Sequence, residues 1–343
     1  MKFLDCIQIS PPVSLVKGKI YSFIEMANVS TVFREPDYID VKAFSSGTKF
    51  EDGDTVIARI EPCLQNGKRF FVKGIGKGFG STEFLVFRPK TIDVDNKYLY
   101  YFMKTEYIQQ LMVSSMTGAT GRQRVNNDIF ADLEISLPDI SVQRRIASIL
   151  SAYDDLIENN RRQIKLLEEA AQRLYREWFV ELRFPGHEGV KVVDGVPEGW
   201  KKQKLVDIAD VQYGFAFDGK CFNNQRSGTP IIRIRNIPDG TTSDYTTESA
   251  DSRYVVHNGE IVVGMDGEFH INTWNGEDAY LVQRTCCIRP TDKALNGWLL
   301  YAIYEPIKFY EKTVVGSTVA HLGKKHVDTI ELLTSPSNLY NVY

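Results

Sequence analysis

The sequence predicts an α+β protein in which two similar domains are joined by one long helix of coiled-coil type. Two observations carry that reading. Apolar residues recur at alternating steps of four and three from Ile146 through Leu150, Tyr153, Ile157, Asn160, Ile164, Leu167, Ala171 and Leu174 to Trp178. This spacing keeps one stripe of a helix turned toward a partner along its whole length. At about 1.5 Å per residue the segment is a rod of roughly 50 Å. The second observation is that the chain before the rod and the chain after it share an order of landmarks.

Gly53-Asp54-Thr55-Val56-Ile57 answers Gly259-Glu260-Ile261-Val262-Val263, a turn followed by an apolar strand. Phe87-Arg88-Pro89 answers Ile288-Arg289-Pro290, and Tyr98-Leu99-Tyr100-Tyr101 answers Trp298-Leu299-Leu300-Tyr301, each opening a short aromatic helix. Gly118-Ala119-Thr120 answers Gly316-Ser317-Thr318, and a basic cluster follows both. Leu133-Glu134-Ile135 answers Ile330-Glu331-Leu332, and Pro138 answers Pro336. The offset drifts only from 206 to 197 residues, so one domain has been duplicated with small insertions. Each copy reads as short strands between Gly and Pro turns plus a small helical part.

In order along the chain, residues 1–139 form the first domain, 140–184 the spacer helix and 185–343 the second domain. Within the first, Gly74, Gly76, Gly78 and Gly80 follow GxGxGxG and lead into a strand at 81–87. A phosphate loop would be GxGxxG before a helix, so the run reads as a flexible hairpin with Lys73 and Lys77 exposed. After Pro138 the helix opens, with Asp139 or Ser141 available as N-cap. Apolar residues Ile149, Leu156 and Ala170 flank the stripe and widen it beyond a two-stranded seam. A partner helix and another subunit are both expected there. Asn160 in the seam either fixes register or marks a solvated spot. By the logic of the repeat, a second long helix is expected after Pro336, where only 337–343 remain.

Composition narrows the function classes. With 343 residues, 43% hydrophobic and 25% charged, the chain holds two or three globular domains. A net charge of −3 argues against a protein that grips nucleic acid alone by bulk electrostatics. No apolar run approaches the ~20 residues of a membrane span, and Asp5 and Pro11-Pro12 near the start are unlike a signal peptide. Cys6, Cys63, Cys221, Cys286 and Cys287 form no CxxC spacing, so neither zinc nor a disulfide framework is expected, and a reducing cytoplasm fits. Ser10-Pro11-Pro12-Val13 misses the aromatic of an adenine methylase motif, and Asp40-Val41-Lys42 is a commonplace tripeptide beside a nuclease set. GxxxxGK(S/T), HExxH and GxSxG are absent. The chain reads as non-catalytic, with no cofactor and no metal.

The repeat and the rod occur together with Leu137-Pro138-Asp139-Ile140-Ser141-Val142-Gln143-Arg144-Arg145-Ile146, Leu156-Ile157-Glu158-Asn159-Asn160-Arg161, Glu177-Trp178-Phe179-Val180 and Val196-Pro197-Glu198-Gly199-Trp200. In this combination the chain resembles the DNA-specificity (S) subunit of type I restriction-modification enzymes. The segment from Thr117 to Arg124 looks like the tail of a target recognition domain, and Gly316-Ser317-Thr318 with His321, Leu322 and Lys324 looks like the same tail in a sister class. The resemblance implies two target recognition domains, each reading one half of a split site in double-stranded DNA. It also implies helices that set the spacing, two methyltransferase (M) subunits docked around them, and restriction (R) subunits reached through the complex. Adenine methylation and ATP-driven cleavage then belong to the partners. In the family a C-terminal spacer helix pairs antiparallel with the central one; without it, the seam residues Ile146, Leu150, Tyr153, Ile157, Asn160, Ile164, Leu167, Leu174 and Trp178 become a candidate surface for self-association or for a subunit.

Candidate DNA contacts follow from side-chain chemistry and that resemblance. Arg and Gln carry the paired donors and acceptors that fit guanine and adenine edges, which singles out Arg122, Gln123 and Arg124, with Thr120 beside them. His321, Lys324 and Lys325, with Thr318, hold the equivalent place in the second domain and suit phosphate. Arg59 and Asp266 each follow an apolar strand where a loop could reach a groove, or simply turn a hairpin. Three other readings stay open: a truncated or phase-variable specificity chain, a coiled-coil scaffold with two protein-binding heads, and a self-contained methylase or nuclease.

Overall fold

The computed structural model describes residues 1–119, 121–313 and 320–340. It divides into two compact units, Met1–Leu166 and Leu167–Tyr343. In the first unit a single helical turn, α1 (Phe3–Cys6), leads into β1 (Ile7–Ile9), followed by β2 (Ile20–Ile24), β3 (Asp40–Ala43), β4 (Thr48–Glu51), β5 (Thr55–Ala58), β6 (Arg69–Phe71), β7 (Lys77–Gly80) and β8 (Phe84–Pro89). Helices α2 (Asn96–Met103) and α3 (Glu106–Ser114) precede the long α4 (Ile140–Tyr175). One antiparallel sheet has the order β1-β8-β5-β6, and a second has the order β3-β2-β7-β4 with β2 and β7 parallel.

Side chains alternate faces along a strand, and both faces of the first sheet are covered. Val56 and Val86, with Phe70 and Phe84 of the same sheet, point into a core with Ile24 and Phe50 from the second sheet. Their neighbours Ile57, Leu85 and Phe87 point into another with Leu99, Met103, Ile108 and Met112 from α2 and α3. This two-sided burial is why β5 reads as an unbroken apolar run. Phe3 seals one end, its ring 4.9 Å from Phe130.

The second unit contains β9 (Val192–Val193), β10 (Val196–Pro197), β11 (Lys201–Lys204), the turn α5 (Leu205–Ile208) and β12 (Ala209–Tyr213). It continues through β13 (Phe222–Asn223), β14 (Thr229–Ile232), β15 (Tyr245–Thr246), β16 (Val255–Val256), β17 (Ile261–Gly264), β18 (Ile271–Thr273), β19 (Ala279–Leu281) and β20 (Thr285–Pro290). Helices α6 (Asn296–Ala302), α7 (Tyr304–Thr313) and α8 (Lys324–Val327), strand β21 (Glu331–Thr334) and the turn α9 (Ser337–Tyr340) complete it. The order β12-β20-β17-β18 repeats β1-β8-β5-β6, and β14 runs parallel to β19 as β2 does to β7.

Register makes the duplication explicit. Thr55 pairs with Phe87 and Ile261 pairs with Ile288, so β5 maps onto β17 at an offset of 206 and β8 onto β20 at 201. Leu99-type helix anchors recur as Trp298 and Leu299. A charged pair is repeated too: Arg88 holds Asp54 at 2.6 and 2.8 Å, and Arg289 holds Glu260 at 2.6 and 2.9 Å. Charges this withdrawn from water must be paired to be tolerated. The adjacent Cys286 and Cys287 face opposite sides of β20, one toward each core. All five cysteines are free, and burial pushes the Cys286 thiol up to about 12.

Helix α4 is 36 residues long, about 54 Å at 1.5 Å per residue, and a wider, π-type turn at Arg176–Val180 follows it. The Asp139 carbonyl accepts the first amides, from Val142 and Gln143. The sequence leads one to expect the heptad stripe to make the helix's contacts, yet within the first unit its polar side does so: Gln143, Ala147, Ser151 and Glu158 are the buried positions. Gln143 donates to the Asp93 and Pro138 carbonyls (both 2.8 Å) and accepts from the Asp95 amide (3.0 Å). Asp154 accepts from the Tyr101 hydroxyl at 2.6 Å, and Asp155 pairs with the buried Arg34 at 2.6 Å. Arg161 lies 3.6 Å above the Phe33 ring and pairs with Asp37. The stripe stays open: Leu150, Tyr153, Ile157, Ile164 and Leu167 are 40–69% exposed. Asn160 is exposed, and Ile146 and Leu174 are half-buried. Trp178 departs from the stripe, packing against the second unit's core beside Phe179, whose ring also stacks on Tyr340.

The glycine run is corrected as well. Gly78 and Gly80 lie in β7 and not in a hairpin, because a Cβ there would stand 2.9 Å from the Ser22 carbonyl and 2.5 Å from that of Ile24. The close parallel pairing of β7 with β2 demands glycine. Among the described residues no helix is long and apolar enough to cross a membrane, and none of the His, Cys, Asp and Glu groupings suits a metal ion.

Candidate functional site

Each unit has a junction where the chain leaves one central strand, another enters, and a returning loop crosses both. In the first unit β5 runs out at Arg59 and Ile60, and Glu83 precedes β8. The Arg59 amide donates to the Glu83 carbonyl (2.8 Å), and the Val125 amide donates to the Arg59 carbonyl (2.9 Å). The returning loop is a tight hairpin in which Thr117 and Arg124 exchange amide bonds of 3.0 and 2.9 Å. Gly118 and Gly121 take positive φ of 122° and 79°, a region other residues rarely enter. On this hairpin Arg122 is exposed and Gln123 half-exposed. Arg124 is bidentate to Glu83 at 2.8 and 2.7 Å. That guanidinium holds the Glu83 carboxyl below its ordinary range. Arg59 is half-buried, donating to the Val125 carbonyl at 3.3 Å.

The second unit repeats both bonds made by the strand-end residue Arg59. The Met265 amide donates to the Arg284 carbonyl (2.9 Å), and the Leu322 amide to the Met265 carbonyl (2.8 Å). Lone bridges pair Ile60 with Arg124 and Asp266 with His321. Positions 60, 83 and 124 therefore correspond to 266, 284 and 321, so Ile, Glu and Arg in one unit stand where Asp, Arg and His stand in the other. Asp266 is held by Arg284 and, at 2.5 Å, by the His321 Nδ1. Partial burial alone would raise the Asp266 carboxyl, and these two partners outweigh it and hold it below its ordinary range.

Arg284 and the neighbouring Gln283 are exposed at the tip of the β19–β20 turn. Arg284 has φ of 69°, a conformation that costs a non-glycine residue on the order of 1 kcal/mol. Bonds around it enforce the turn: Gln283 donates its amide to the Phe215 carbonyl (2.7 Å) and Gly214 to that of Thr285 (3.0 Å). Gly214 is obligatory here, since a Cβ would sit 2.1 Å from the Val282 carbonyl. Tyr213, Gln283, Arg284 and His321 line a cavity of about 390 Å³. An adjoining cleft of about 540 Å³ shares Gln283 and Arg284 and adds Phe217, Phe222, Arg233 and Arg235. Arginine forks beside aromatic rings and an exposed Gln suit phosphates and base edges.

The structure thus brings Arg59, Gln123 and Arg124 to one junction, with Arg122 beside them, and Asp266 and His321 to the other. Lys324 and Lys325 are exposed on α8, three and four residues beyond His321. Thr120 and Thr318 lie outside the described residues. Sequence reasoning missed Glu83, Gln283, Arg284, Arg233 and Arg235. Arg284 could have been found by carrying the repeat one position upstream of β20, to the residue matching Glu83.

A family model for the type I restriction modification DNA specificity domain matches residues 16–169 and 197–337. The MjaIX specificity subunit of a type I restriction enzyme from Methanocaldococcus jannaschii is 29% identical over 168 residues, 47% of this chain and 39% of that protein. The EcoAI specificity subunit from Escherichia coli is 33% identical over 145 residues, 39% of this chain and 25% of its own. The matched stretches span less than half the length of these relatives. The crystal structure of a type I restriction-modification system S subunit from M. genitalium has the same fold, with a TM-score of 0.58 at 14% identity, covering 99% of this chain and 86% of that one.

Proposed function

Because this chain belongs to the type I restriction modification DNA specificity family, we propose that it is a DNA sequence-specificity subunit whose two units each read half of a split site. The observation that carries this is the repeated junction, which gives each unit its own Arg- and Gln-bearing or Arg- and His-bearing rim on the same scaffold. In this reading residues 1–139 and 185–343 are the two target recognition domains and 140–184 the spacer. Arg59, Arg122, Gln123 and Arg124 serve the first half-site, and Asp266, His321, Lys324 and Lys325 serve the second. The chain itself is non-catalytic and acts in the cytoplasm, with methyltransferase subunits completing the grip on double-stranded DNA and restriction subunits joining through them. The exposed stripe on α4 takes a second helix, from another copy of this chain or from a methyltransferase subunit.

Net charge supports the need for partners. At −3 the chain lacks the cationic surface that releases many counterions from DNA. The test is a mobility shift with the purified chain alone and with its methyltransferase subunits, beside mapping of methylated adenines in a host carrying the complex. A salt-sensitive, sequence-dependent shift seen only with partners, matching a split methylated motif, supports the proposal. Tight specific binding by the chain alone counts against the partner-completed clamp. Methyl transfer by the isolated chain overturns the non-catalytic reading.

A further inference from the structure

Both junctions share a feature that recognition alone does not require: the cation best placed to read DNA is already engaged by a carboxylate of its own unit. In the first unit Glu83 takes both donors of the Arg124 fork. In the second, Asp266 takes Arg284 through one oxygen and His321 through the other. The equivalence of positions 60, 83, 124 and 266, 284, 321 means that the clasp has been kept while the carboxylate moved from the strand entering the sheet to the strand leaving it. Neither clasp is a core ion pair. The side chains of Arg124 and Arg284 are 46% and 59% exposed, whereas Glu83 and Asp266 are 24% and 15% exposed. The carboxylates are anchored and the cations face outward.

We propose that Glu83 and Asp266 are specificity-determining positioning residues: each engages the neighbouring arginine, Glu83 through both oxygens and Asp266 through one, and so withholds it from non-cognate DNA. This rests on the reading of the two units as DNA half-site readers. A carboxylate presents two acceptor oxygens at a spacing close to that of a phosphate or of the guanine O6 and N7 edge, which is why one arginine fork fits all three. A phosphate is present at every DNA sequence. An uncommitted arginine on the rim would therefore strengthen binding everywhere, adding affinity without discrimination. A clasped arginine must exchange its carboxylate for something better, and a correctly placed base edge provides two hydrogen bonds together with the approach of the rest of the rim. The left-handed backbone at Arg284 and its turn bonds keep that fork aimed while it is exchanged. The carboxylate also repels phosphate at the same spot, so misaligned DNA meets like charge.

The test uses the full chain assembled with its methyltransferase subunits, a duplex carrying the site selected from a randomised pool, and a mixed-sequence duplex lacking it. Glu83→Gln and Asp266→Asn remove charge at nearly constant shape. Each should raise mixed-sequence affinity about two- to five-fold, the range for freeing a half-exposed ion pair. Each should steepen the dependence of log affinity on log salt by about 0.9, one added phosphate contact. Discrimination should fall only at the half-site that the altered unit reads, and Glu83→Asp or Asp266→Glu should restore it. Unchanged or weaker mixed-sequence binding with discrimination intact overturns the proposal while leaving the DNA-reading function standing. A wild-type complex without any sequence preference overturns both. Should Asp266→Asn fail to fold, Arg284→Met gives the complementary measurement: site affinity should fall at least ten-fold while mixed-sequence affinity moves less than two-fold. Equal losses on both duplexes would make Arg284 an ordinary phosphate contact and refute the clasp.

Discussion

Gln143 offers a direct test of how the long helix is tied to the first unit. The residue is 1% exposed, and its side-chain amide bonds three backbone groups, the Asp93 and Pro138 carbonyls and the Asp95 amide just ahead of α2. Gln143→Leu keeps the volume and leaves all three groups without that partner. An unsatisfied buried polar group costs about 1–3 kcal/mol. These three lie close together and some regain water, so their costs overlap, and a total of about 3 kcal/mol is expected. The sequence supplies a selective probe, because Trp178, Trp200, Trp274 and Trp298 all lie in the second unit. Urea unfolding followed by far-ultraviolet circular dichroism should show an early transition in the variant, while tryptophan emission should keep the wild-type midpoint. Gln163→Leu, at an exposed helix position, serves as the control. A loss below about 1 kcal/mol, or an equal shift in tryptophan emission, would refute the claim that this side chain is a local tether.

Three further outcomes are expected. Ile157→Asp or Leu167→Asp should turn a self-associating chain into a monomer at micromolar concentration in sedimentation, with helix content kept, because large exposed apolar stripes are rare on monomers; a monodisperse wild-type monomer would sink this. Arg122→Ala with Arg124→Ala should cost about 1–3 kcal/mol per lost base contact at one half-site and leave the other's sequence preference intact, and equal loss at both would make these arginines architectural. The second unit should lose stability in acid through Glu260. Burial raises this carboxyl, but the Arg289 fork and the His257 amide bring it below its ordinary 4.5. A group depressed in the folded state stabilises above its unfolded value, and that contribution disappears as pH falls through the folded one. Glu260→Gln should therefore flatten the acid limb of the tryptophan-detected midpoint, and an unchanged limb would assign acid lability elsewhere.

The parts of this fold legible in sequence were those written as periodicity or as repeated order. The heptads gave the helix, and Gly53-Asp54 against Gly259-Glu260 gave two copies of one domain, because turn chemistry and two-sided strand burial leave local marks. The docking face of α4 left none. Gln143 and Glu158 look like solvent-facing helix residues, and the tertiary partners Asp93, Asp95 and Glu35 make them interior. The glycine run misled for a related reason: an open hairpin and a crowded parallel strand both call for glycine. At the rim, Arg122 to Arg124 stood out by composition, whereas Arg284 is an isolated arginine whose significance depends on a register that only paired strands reveal. Its clasp with Asp266 spans 18 residues and closes through a turn held by Gly214.

Comparing the two copies within one chain separates what the scaffold requires from what the rim is free to change. The interior pair is kept in kind, Arg88 with Asp54 and Arg289 with Glu260, and so are the amide bonds across the junction. Three side chains on those same bonds differ completely: Ile60, Glu83 and Arg124 against Asp266, Arg284 and His321. Backbone bonds do not depend on which side chain they carry, so the junction tolerates the exchange, and half-exposed ion pairs contribute only about 0–1 kcal/mol. Transplanting the first set onto the second unit, as Asp266→Ile, Arg284→Glu and His321→Arg, should shift tryptophan-detected stability by less than about 1 kcal/mol. Neither arginine nor glutamate is β-branched, so the left-handed backbone at position 284 suits them equally. The same variant, assembled with its methyltransferase subunits, should select a different second half-site from a randomised duplex pool and keep the first. A loss beyond about 2 kcal/mol would mean that the rim and the scaffold are one structure. An unchanged second half-site in a folded variant would move the reading surface away from the junction.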